Sequence, residues 1–453
     1  MKFKKKFYFF VASYFRFFAN FAFRRWHPRV IAITGSVGKT TMLNLVECAL
    51  GTRAHYSHDA NSAFGIAFDL VNLRGVTGSK LRWFYLFFAV PLKSLFFTHR
   101  EEFYVVEIDG ERPRETEFLA SWLRPEVTLW ISLGLSHAIQ FEQQVKDGLF
   151  ENLDKAITHE FAMLPEYTSK LVIIDGDVDL MKRALSSIKQ KGKTNAEVIE
   201  CYKRNLIDYQ ITPDHTSFII QQAQNPVPSD TDTKNSDRLR PSLQNQQTPQ
   251  KEYSFNHPMS RDLAIQLVML EQLAKYLSID LPSDFSKIRL APGRNSYFEG
   301  IKGIKIIDSS YNAHLISVKS ILQMFKLMNI PKKWLVIGDI VDQGSIEGQE
   351  HQKLAQEIIS LHPQQVILVG RRTKKYTAPP LVDAGLKVFT TTDPKAALSF
   401  IQRHLTGQET ILFKGSQYLE WIIEKLLKNP QDAKYLPRRE KAAVKRRKKR
   451  GLD

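Results

Sequence analysis

The residues of this chain with the clearest chemical meaning form a glycine-bracketed loop, Gly35-Ser36-Val37-Gly38, followed directly by Lys39-Thr40-Thr41. In such a loop, the backbone N–H groups and the start of the next helix bind phosphate. The lysine can place its charge on the outer phosphates, and the first threonine hydroxyl can bind Mg²⁺. The spacing is shorter than the common Walker A form, because Ile33 stands where that form has its first glycine. The loop predicts an ATP-type phosphate site; the alternative is a glycine-rich turn in some other α/β protein.

Two further polar residues follow apolar runs that predict strands. Glu107 comes after Phe103–Val106, where a carboxylate can reach an ion held by Thr40. His137 comes shortly after the run Val127–Leu133. Taken alone, a glutamate after a strand is usually a solvated end, and a lone histidine is more often a packed or capping residue than a ligand.

The elements that must position these residues alternate between strand and helix patterns, which predicts a mostly parallel sheet with helices on both faces. After residue 290 a second alternation predicts a doubly wound domain, with polar residues gathered at the strand ends where such sheets bind ligands. The predicted strands are Val30–Ile33, 103–108, 127–133, 171–174, 304–307, 334–337, 366–369, 387–390 and 410–413. The predicted helices are 42–50, 115–123, 176–188, 259–277, 316–328, 351–361 and 419–427. The fold class is therefore α/β, with a P-loop central domain and a C-terminal Rossmann-like domain.

The 453 residues divide into four predicted regions. These are an aromatic and basic helix over 1–29, a central domain over 30–290, a C-terminal domain over 291–428 and a basic disordered tail over 429–453. Within the central domain, 225–252 is rich in Pro, Ser, Thr, Asp, Asn and Gln, which predicts a disordered insertion. Two cysteines, Cys48 and Cys201, are too few for a disulfide framework, and we expect both to be buried and inert.

The net charge of +17 is concentrated at the two ends of the chain. Residues 1–29 contribute +8 and 430–453 contribute +7, so the remainder carries about +2. We therefore expect no specific nucleic-acid partner. For the basic segment 438–450, anionic lipid headgroups, RNA and no partner at all remain open.

The N-terminal run Phe7–Phe23 is almost entirely aromatic or apolar and contains Arg16 and Asn20. A spanning helix needs about 20 apolar residues, so this shorter run predicts a helix at a membrane surface or inserted in it. The alternative is a core helix that caps the domain. A second aromatic run, Trp83–Phe97, is either another membrane-facing patch or a buried helix.

Several segments, in order along residues 30 to 427, resemble the Mur ligases, the ATP-dependent amide-forming enzymes of peptidoglycan synthesis. The resemblance is greatest to the branch that adds D-alanyl-D-alanine. The segments are Thr34–Thr41, Asn61–Gly65, Val105–Ile108 with Arg112-Pro113 and Arg124-Pro125, Gly134–His137, Pro292–Arg294, Ile307–Ala313, Gly338–Ile340 with 342–344 and His351, and Lys414–Ser416.

The resemblance implies a role for each matching residue. Lys39 and the amides of Gly35–Thr41 would hold the ATP phosphates. Thr40 and Glu107 would bind one Mg²⁺, His137 would help bind a second, and Arg294 would reach the γ-phosphate. The nucleotide would contact Asp308, Tyr311 and Asn312, and the substrate would contact Asn61, Asp339, Lys414 and Ser416.

This sequence departs from the family pattern at three points. Because the resemblance begins at about residue 30, we expect no counterpart here of the family's N-terminal UDP-binding domain. The carbamoylated lysine of many members aligns with Ile157 or Thr158, and Lys155 lies nearby. Of the family's adenine-contacting Gly-x-His-Asn-x-x-Asn motif, His257 alone is present.

Taken together, the sequence predicts an ATP- and Mg²⁺-dependent ligase that joins D-alanyl-D-alanine or a similar amine to a muramoyl-peptide carboxylate. Its partners would be a peptidoglycan precursor, a D-amino-acid dipeptide and, through the N-terminal helix, the inner face of a bacterial membrane on the cytoplasmic side. The alternatives are a catalytically degenerate ATP-binding scaffold at the membrane and an unrelated P-loop kinase. The oligomeric state is left open.

Overall fold

The computed structural model describes residues 2–58, 60–75, 79–135, 137–222, 249–311, 313–416 and 418–452. Most of the predicted insertion, 223–248, and the predicted nucleotide contact Asn312 lie outside them. Two α/β domains follow one another along the chain, and each is built on a six-stranded sheet.

The central domain contains a fully parallel sheet of order β2-β3-β1-β4-β5-β6. Its strands are β1 (Arg29–Thr34), β2 (Ala54–Tyr56), β3 (Phe103–Ile108), β4 (Val127–Trp130), β5 (Leu171–Asp175) and β6 (Glu197–Cys201). Its helices are α1 (Lys2–Trp26), α2 (Lys39–Leu50), α3 (Ala63–Asp69), α4 (Lys80–Phe96), α5 (Glu115–Leu123), α6 (Glu142–Lys146), α7 (Leu153–Glu166), α8 (Asp179–Gln190) and α9 (Leu263–Leu277).

A small antiparallel sheet, which the sequence analysis did not predict, joins this domain before α9. It consists of β7 (Leu206–Ile211), β8 (Thr216–Gln221) and β9 (Gln250–Phe255). Because β9 includes residues 250–252, the prediction of a disordered insertion was wrong for those three residues. Phe218, Tyr253 and Phe255 from these strands are buried in the same core as α2 and α9.

The C-terminal domain has a second sheet of order β10-β11-β15-β12-β13-β14, in which the edge strand β10 alone is antiparallel. Its strands are β10 (Ser296–Glu299), β11 (Lys305–Ser309), β12 (Lys332–Gly338), β13 (Gln365–Val369), β14 (Val388–Thr391) and β15 (Glu409–Lys414). Its helices are α10 (Leu315–Leu327), α11 (Glu347–Leu361), α12 (Ala378–Asp383), α13 (Pro394–His404), α14 (Leu419–Leu426) and α15 (Lys441–Lys448). The α/β class and the mostly parallel sheets are confirmed.

The C-terminal segment is folded over much of the range that we predicted to be disordered. A turn of 3₁₀ helix spans Pro430–Tyr435 and is followed by α15. Arg439 and Arg447 each approach Glu424 of α14 to 2.7 Å, and Leu436 and Leu452 are buried in the C-terminal core. The prediction was wrong there because these long-range contacts cannot be read from the local charge.

The two cysteines differ in exposure. Cys201 is buried, as predicted, whereas Cys48 is exposed, so the prediction that both are buried was wrong for Cys48.

Helix α1 packs against the central domain instead of standing apart from it. Alternate residues of β1 and β3 face opposite sides of the sheet. On one side, Val30 and Tyr104 are buried together with Phe15, Ala19 and further α1 residues. Arg16, which interrupts the aromatic run, donates to the Phe118 carbonyl oxygen at 2.8 Å and so ties α1 to α5.

Substitutions on the two faces of α1 should therefore change the free energy of unfolding by different amounts. Phe15 is fully buried, so Phe15→Ala should lower the free energy of unfolding by about 3–5 kcal/mol through lost burial and the cavity that remains. Phe17 is 60% exposed, and Phe17→Ala should change it by less than about 0.5 kcal/mol. Urea unfolding of both variants measures the difference, and equal effects would contradict the packing of α1.

Candidate active site

The phosphate loop lies between β1 and α2, as predicted. Gly38 caps α2 at its N-terminus with a φ of 85°, in the left-handed region that favours glycine. A Cβ at this position would lie 2.4 Å from Nε2 of Gln266. The first-turn amides of α2 have no acceptor within the helix and carry its positive dipole end, which suits an anion.

The residues that follow β4 form hydrogen bonds with this loop. Ser132 Oγ accepts from the Val37 amide at 2.9 Å and donates to the Val37 carbonyl oxygen at 2.8 Å. Ser36 Oγ donates to the Gly134 carbonyl oxygen at 2.9 Å. Ser132 and Gly134, which lie shortly before His137, therefore fix the conformation of the loop.

Lys39 joins the loop to the end of β3. Its Nζ donates to the Gly35 carbonyl oxygen and approaches Asp109 Oδ1, both at 2.7 Å. Burial alone would lower the Lys39 pKa, but the carboxylates of Asp109 and Glu107 outweigh that effect and the pKa is raised. The side-chain amide of Asn61 donates to the Asp109 carboxylate. The backbone carbonyl oxygen of Asn61 accepts from the backbone amide of Asp109 at 3.1 Å. Lys39 is thus held as a cation in the site.

Thr40 and Glu107 have the donor atoms and the spacing for a magnesium ion. The Thr40 hydroxyl lies 2.8 Å from Glu107 Oε2. Neighbouring oxygen ligands of an octahedral Mg²⁺ are about 3 Å apart, since each lies about 2.1 Å from the ion. Burial raises the Glu107 pKa, against the lowering effect of Lys39, and a bound cation would favour the ionised form. These residues therefore fit the metal that the resemblance implies.

Beyond Asp109, Glu111 brings a third carboxylate to this edge of the sheet. Its Oε1 lies 3.2 Å from His137 Nε2, so His137 faces the carboxylate cluster. Burial and the Asp109 charge raise the Glu111 pKa. The imidazole of His314, from the C-terminal domain, has its ring centre 5.0 Å from that of His137. Burial, together with the positive charges of His137, Lys414 and Lys39, lowers the His314 pKa to about 3, so this ring is neutral at pH 7.

The C-terminal domain contributes cationic and aromatic groups to the same site. The Arg294 guanidinium lies 5.3 Å from the Tyr311 ring centre, and its buried Nε has no hydrogen-bond partner among the described residues. Burial lowers the pKa of Lys414, at the end of β15, to about 7, and the charge of Arg294 adds to this effect. An unpartnered guanidinium nitrogen and a lysine that is costly to charge both favour an anionic ligand.

Asp308 lies near the end of β11, a few residues before Tyr311. It is fully buried, and burial raises its pKa to about 6. Its Oδ1 accepts from the Ser310 amide at 2.9 Å, whereas its Oδ2 has no partner within the part of the chain that the structure describes. A buried acceptor without a donor is costly, which is consistent with a ligand hydroxyl as its partner.

Two of the predicted substrate residues, Asp339 and Ser416, form hydrogen bonds within the C-terminal domain. Asp339 Oδ1 accepts from the backbone amides of Arg372 and Thr373, at 3.1 and 2.9 Å, and so holds the start of the next helical segment. The Ser416 hydroxyl donates to the Asp339 carbonyl oxygen at 2.9 Å. Neither residue lines the cavity described next.

A cavity of about 410 Å³ lies between the two domains and brings most of the predicted residues together. The predicted residues that line it are Ser36, Val37, Gly38, Lys39, Thr40, Thr41, Asn61, Glu107, His137, Arg294, Tyr311 and Lys414. Gly35 and Asp308 are not among the lining residues. One cavity therefore receives a phosphate loop and carboxylates from the central domain, and an arginine and a lysine from the C-terminal domain.

Sequence reasoning missed Asp109, Glu111 and His314, which also line this cavity. The signal for the two carboxylates was available, because they follow β3 in the series Glu107-Ile108-Asp109-Gly110-Glu111. His314 has no comparable local signal, since its place depends on how the C-terminal domain packs against the central one.

The segment that aligns with the modified lysine of many Mur ligases lies on α7. Lys155 is exposed there and pairs with Glu151 at 2.5 Å. Ile157 and Thr158 are buried, and the Thr158 hydroxyl has no partner among the described residues. None of the three lines the cavity, so α7 provides no replacement for that lysine.

Comparison with known families identifies the C-terminal domain directly. Residues 293–417 match the family described as "Mur ligase, glutamate ligase domain". This range begins at Gly293 and extends beyond Ser416, so it contains Arg294 and Lys414.

Two curated proteins match most of the chain. The UDP-N-acetylmuramoyl-tripeptide–D-alanyl-D-alanine ligases of Bacillus subtilis and Escherichia coli are each 22% identical to it, over 414 and 408 residues. The alignments cover 89% and 88% of this chain, and 76% and 77% of the respective relatives.

Solved structures share the fold. The MurF ligase of Thermotoga maritima in complex with ADP aligns with a TM-score of 0.66 at 15% identity, covering 91% of this chain and 83% of that one. MurF from Acinetobacter baumannii aligns with a TM-score of 0.67 at 17% identity, covering 91% and 79%.

The C-terminal domain matches a Mur ligase family, most of the chain is similar to two curated D-alanyl-D-alanine-adding ligases, and the fold is that of MurF structures. These similarities support an ATP-dependent ligase of peptidoglycan precursor synthesis.

Proposed function

We propose that this protein forms an amide bond between D-alanyl-D-alanine, or a similar amine, and the carboxylate of a muramoyl peptide, at the expense of ATP. The observation that carries the proposal is the cavity between the domains, where Lys39, Thr40 and Glu107 face Arg294 and Lys414. The names of the two curated relatives support the choice of amine and acceptor.

In the first step, an oxygen of the acceptor carboxylate attacks the γ-phosphorus of ATP. The bond between the γ-phosphorus and the bridging oxygen of the β-phosphate breaks, so that ADP departs and an acyl phosphate is formed. Lys39 and the amides of the loop stabilise the phosphates, and Arg294 approaches from the opposite domain. Thr40 and Glu107 would hold Mg²⁺, with Asp109, Glu111 and His137 around it, and the ion would neutralise phosphate charge. The protein's part is to position the reactants and to balance their charge.

In the second step, the neutral amine attacks the acyl carbon, and the tetrahedral intermediate collapses with release of inorganic phosphate and a proton. Lys414 lies in the cavity, and Asn61 lies beside Asp109 at its edge, which supports them as substrate contacts. We leave Asp339 out of this role because its carboxylate holds the helical segment after β13. For Ser416, the substrate contact stays a prediction.

For the place of action we propose the cytoplasmic face of the bacterial membrane, with the N-terminal helix as the contact. Exposed aromatic side chains on α1, at Phe7, Phe10, Phe17 and Phe21, support this proposal. In the described part of the chain, no helix has the length and apolar character needed to cross a bilayer.

A second candidate is a catalytically degenerate relative that binds ATP and acts as a scaffold. The buried Thr158 and the outward-facing Lys155 favour it, since α7 offers no carboxylate or lysine to the cavity. Turnover separates the two candidates.

The ligase proposal predicts ADP release that requires both D-alanyl-D-alanine and a muramoyl-peptide acceptor. Omitting either substrate should reduce the rate to background, because the acyl phosphate forms on the acceptor and is consumed by the amine. A coupled ADP assay with each substrate alone and with both measures this. A protein that binds ATP yet releases no ADP with the complete set would support the scaffold instead.

Lys39→Ala should lower turnover at least about a hundredfold, because a buried cation aimed at the phosphates is lost. Lys155→Ala is the matched control, since it removes an exposed lysine whose partner is Glu151. Steady-state ADP release compares the two variants with the parent chain. Equal rates for Lys39→Ala and the parent would overturn the assignment of the phosphate loop.

Asp308 predicts a pH effect on stability with a definite sign. Because its pKa rises from 3.8 to about 6 on folding, the folded state retains a proton that the unfolded state loses, and stability falls as pH rises between these values. From pH 4.5 to 7.5 the parent should lose about 2 kcal/mol relative to Asp308→Asn. Urea unfolding of both proteins across this range measures the difference, and parallel pH profiles would contradict the buried carboxyl.

A further inference from the structure

Helix α4 presents a continuous apolar face to solvent. Its exposed positions recur every three or four residues, which places them on one side of the helix. They are Leu81, Phe84, Tyr85, Phe88, Leu92, Leu95 and Phe96, with exposures from 46% to 84%. The opposite side is buried through Leu86, Val90 and Ser94, so the helix is anchored in the domain while this face is left uncovered.

The exposed aromatic line of α1 adjoins this face. The two helices pack side by side, with the Tyr14 and Phe87 ring centres 5.3 Å apart and the Tyr14 hydroxyl bonded to the Phe87 carbonyl oxygen at 2.7 Å. At the other end of the seam, Arg25 donates to the carbonyl oxygens of Ser94 and Phe97 at 2.7 Å. We call the exposed side chains of α4, together with Phe10, Phe17 and Phe21 of α1, the two-helix face.

Such a face is unusual for a protein surface. Soluble domains rarely expose contiguous apolar patches of more than a few hundred Å², and larger ones mark contact with another protein or with lipid. The two-helix face consists of ten large apolar or aromatic side chains and contains no charged residue. It therefore calls for an occupant that is itself apolar over a wide area.

The charges around the face favour a lipid surface with anionic headgroups. The sequences of α1 and α4 contain no aspartate or glutamate, and Arg24, Arg25, Arg82 and Lys93 flank the exposed side chains. A second copy of this chain would bring these like charges together, which opposes a symmetric dimer through this face. An apolar stripe bordered by arginine and lysine is the pattern of a helix that lies in the membrane interface.

A cleft on the other side of α1 extends the positive border. It measures about 950 Å³, and Phe17 of the two-helix face is among its lining residues. Arg24, Arg124 and Lys170 also line it, together with Glu126, which pairs with Arg29 at 2.7 Å. Cations at this position would meet headgroup phosphates when the aromatic side chains enter the acyl region.

We propose that the two-helix face is a monotopic membrane-binding surface for anionic bilayers, in which α4 is the principal inserting element and α1 is its partly buried support. The proposal extends the location proposed above, which named the N-terminal helix alone, and it does not depend on the ligase chemistry. Removing α1 would be a poor test, because Phe15 and Ala19 belong to the core of the domain.

The test is flotation of the purified full chain with vesicles of phosphatidylcholine containing about 25% phosphatidylglycerol. The parent chain should float with these vesicles and bind at least about tenfold less to phosphatidylcholine alone. The double variant Phe84→Glu/Phe88→Glu should lose at least about tenfold in binding, since both side chains are more than 60% exposed and would place charge in the acyl region. Phe10→Glu/Phe17→Glu should lose less than the α4 variant.

The matched control is Leu149→Glu/Val382→Glu, which adds the same charge at two exposed apolar positions away from the face, 65% and 58% exposed. It should bind like the parent. Circular dichroism and nucleotide binding verify that each variant is folded. Equal flotation of the α4 variant and the control would overturn the proposal. It would also be overturned if the parent chain did not bind vesicles and instead formed a concentration-dependent dimer that the α4 variant abolishes. Vesicle binding requires neither the amine nor the acceptor. The flotation result therefore tests the membrane-binding surface independently of the ligase assay, and failure of one proposal can be distinguished from failure of the other.

Discussion

The contact between Lys39 and Asp109 holds the candidate site together. Lys39 Nζ joins the Gly35 carbonyl oxygen to the Asp109 carboxylate, and so ties the phosphate loop to the neighbouring strand. A buried lysine without a carboxylate would be driven toward its neutral form. Asp109 and Glu107 keep it charged, and Asn61 holds Asp109 in place. The carboxylates therefore serve two purposes, since they sustain the cation that meets phosphate and surround the position suited to a metal ion.

The C-terminal domain completes this arrangement by adding further positive charge. Arg294 and Lys39 face the same cavity, and the charge of Arg294 opposes that of Lys39. Burial and the charge of Arg294 lower the pKa of Lys414 to about 7. In isolation such an arrangement is unfavourable. A polyphosphate bound between the domains would relieve the repulsion from both sides, which is a physical reason for the two domains to close on their substrate. His314 adds no charge at pH 7, so the balance depends on Lys39, Arg294 and Lys414.

Local pattern was sufficient for the elements that carry the site. The strand Phe103–Ile108 and the helix Glu115–Leu123 have the predicted bounds, because apolar runs and helical spacing are recorded in the residues themselves. Glu107 could be located because it ends a parallel strand. His314 could not, since its position depends on the packing of two domains. The C-terminal segment could not be predicted because its fold depends on Arg439 and Arg447 reaching Glu424. The sheet of β7, β8 and β9 was missed because apolar and polar residues alternate only weakly along its strands, and because the insertion separates β8 from β9.

The N-terminal helix shows why the sequence left two interpretations open. An aromatic run can cover a sheet or face lipid, and α1 divides its aromatic residues between both, with Phe15 inside and Phe17 outside. Arg16 argues against a spanning helix and in the structure bonds to α5. The strands under α1 are β1 and β3, the same two strands that end at the phosphate loop and at Glu107. Because the two-helix face and the cavity share this base, a bilayer bound to that face would hold the cavity in one fixed orientation to the membrane.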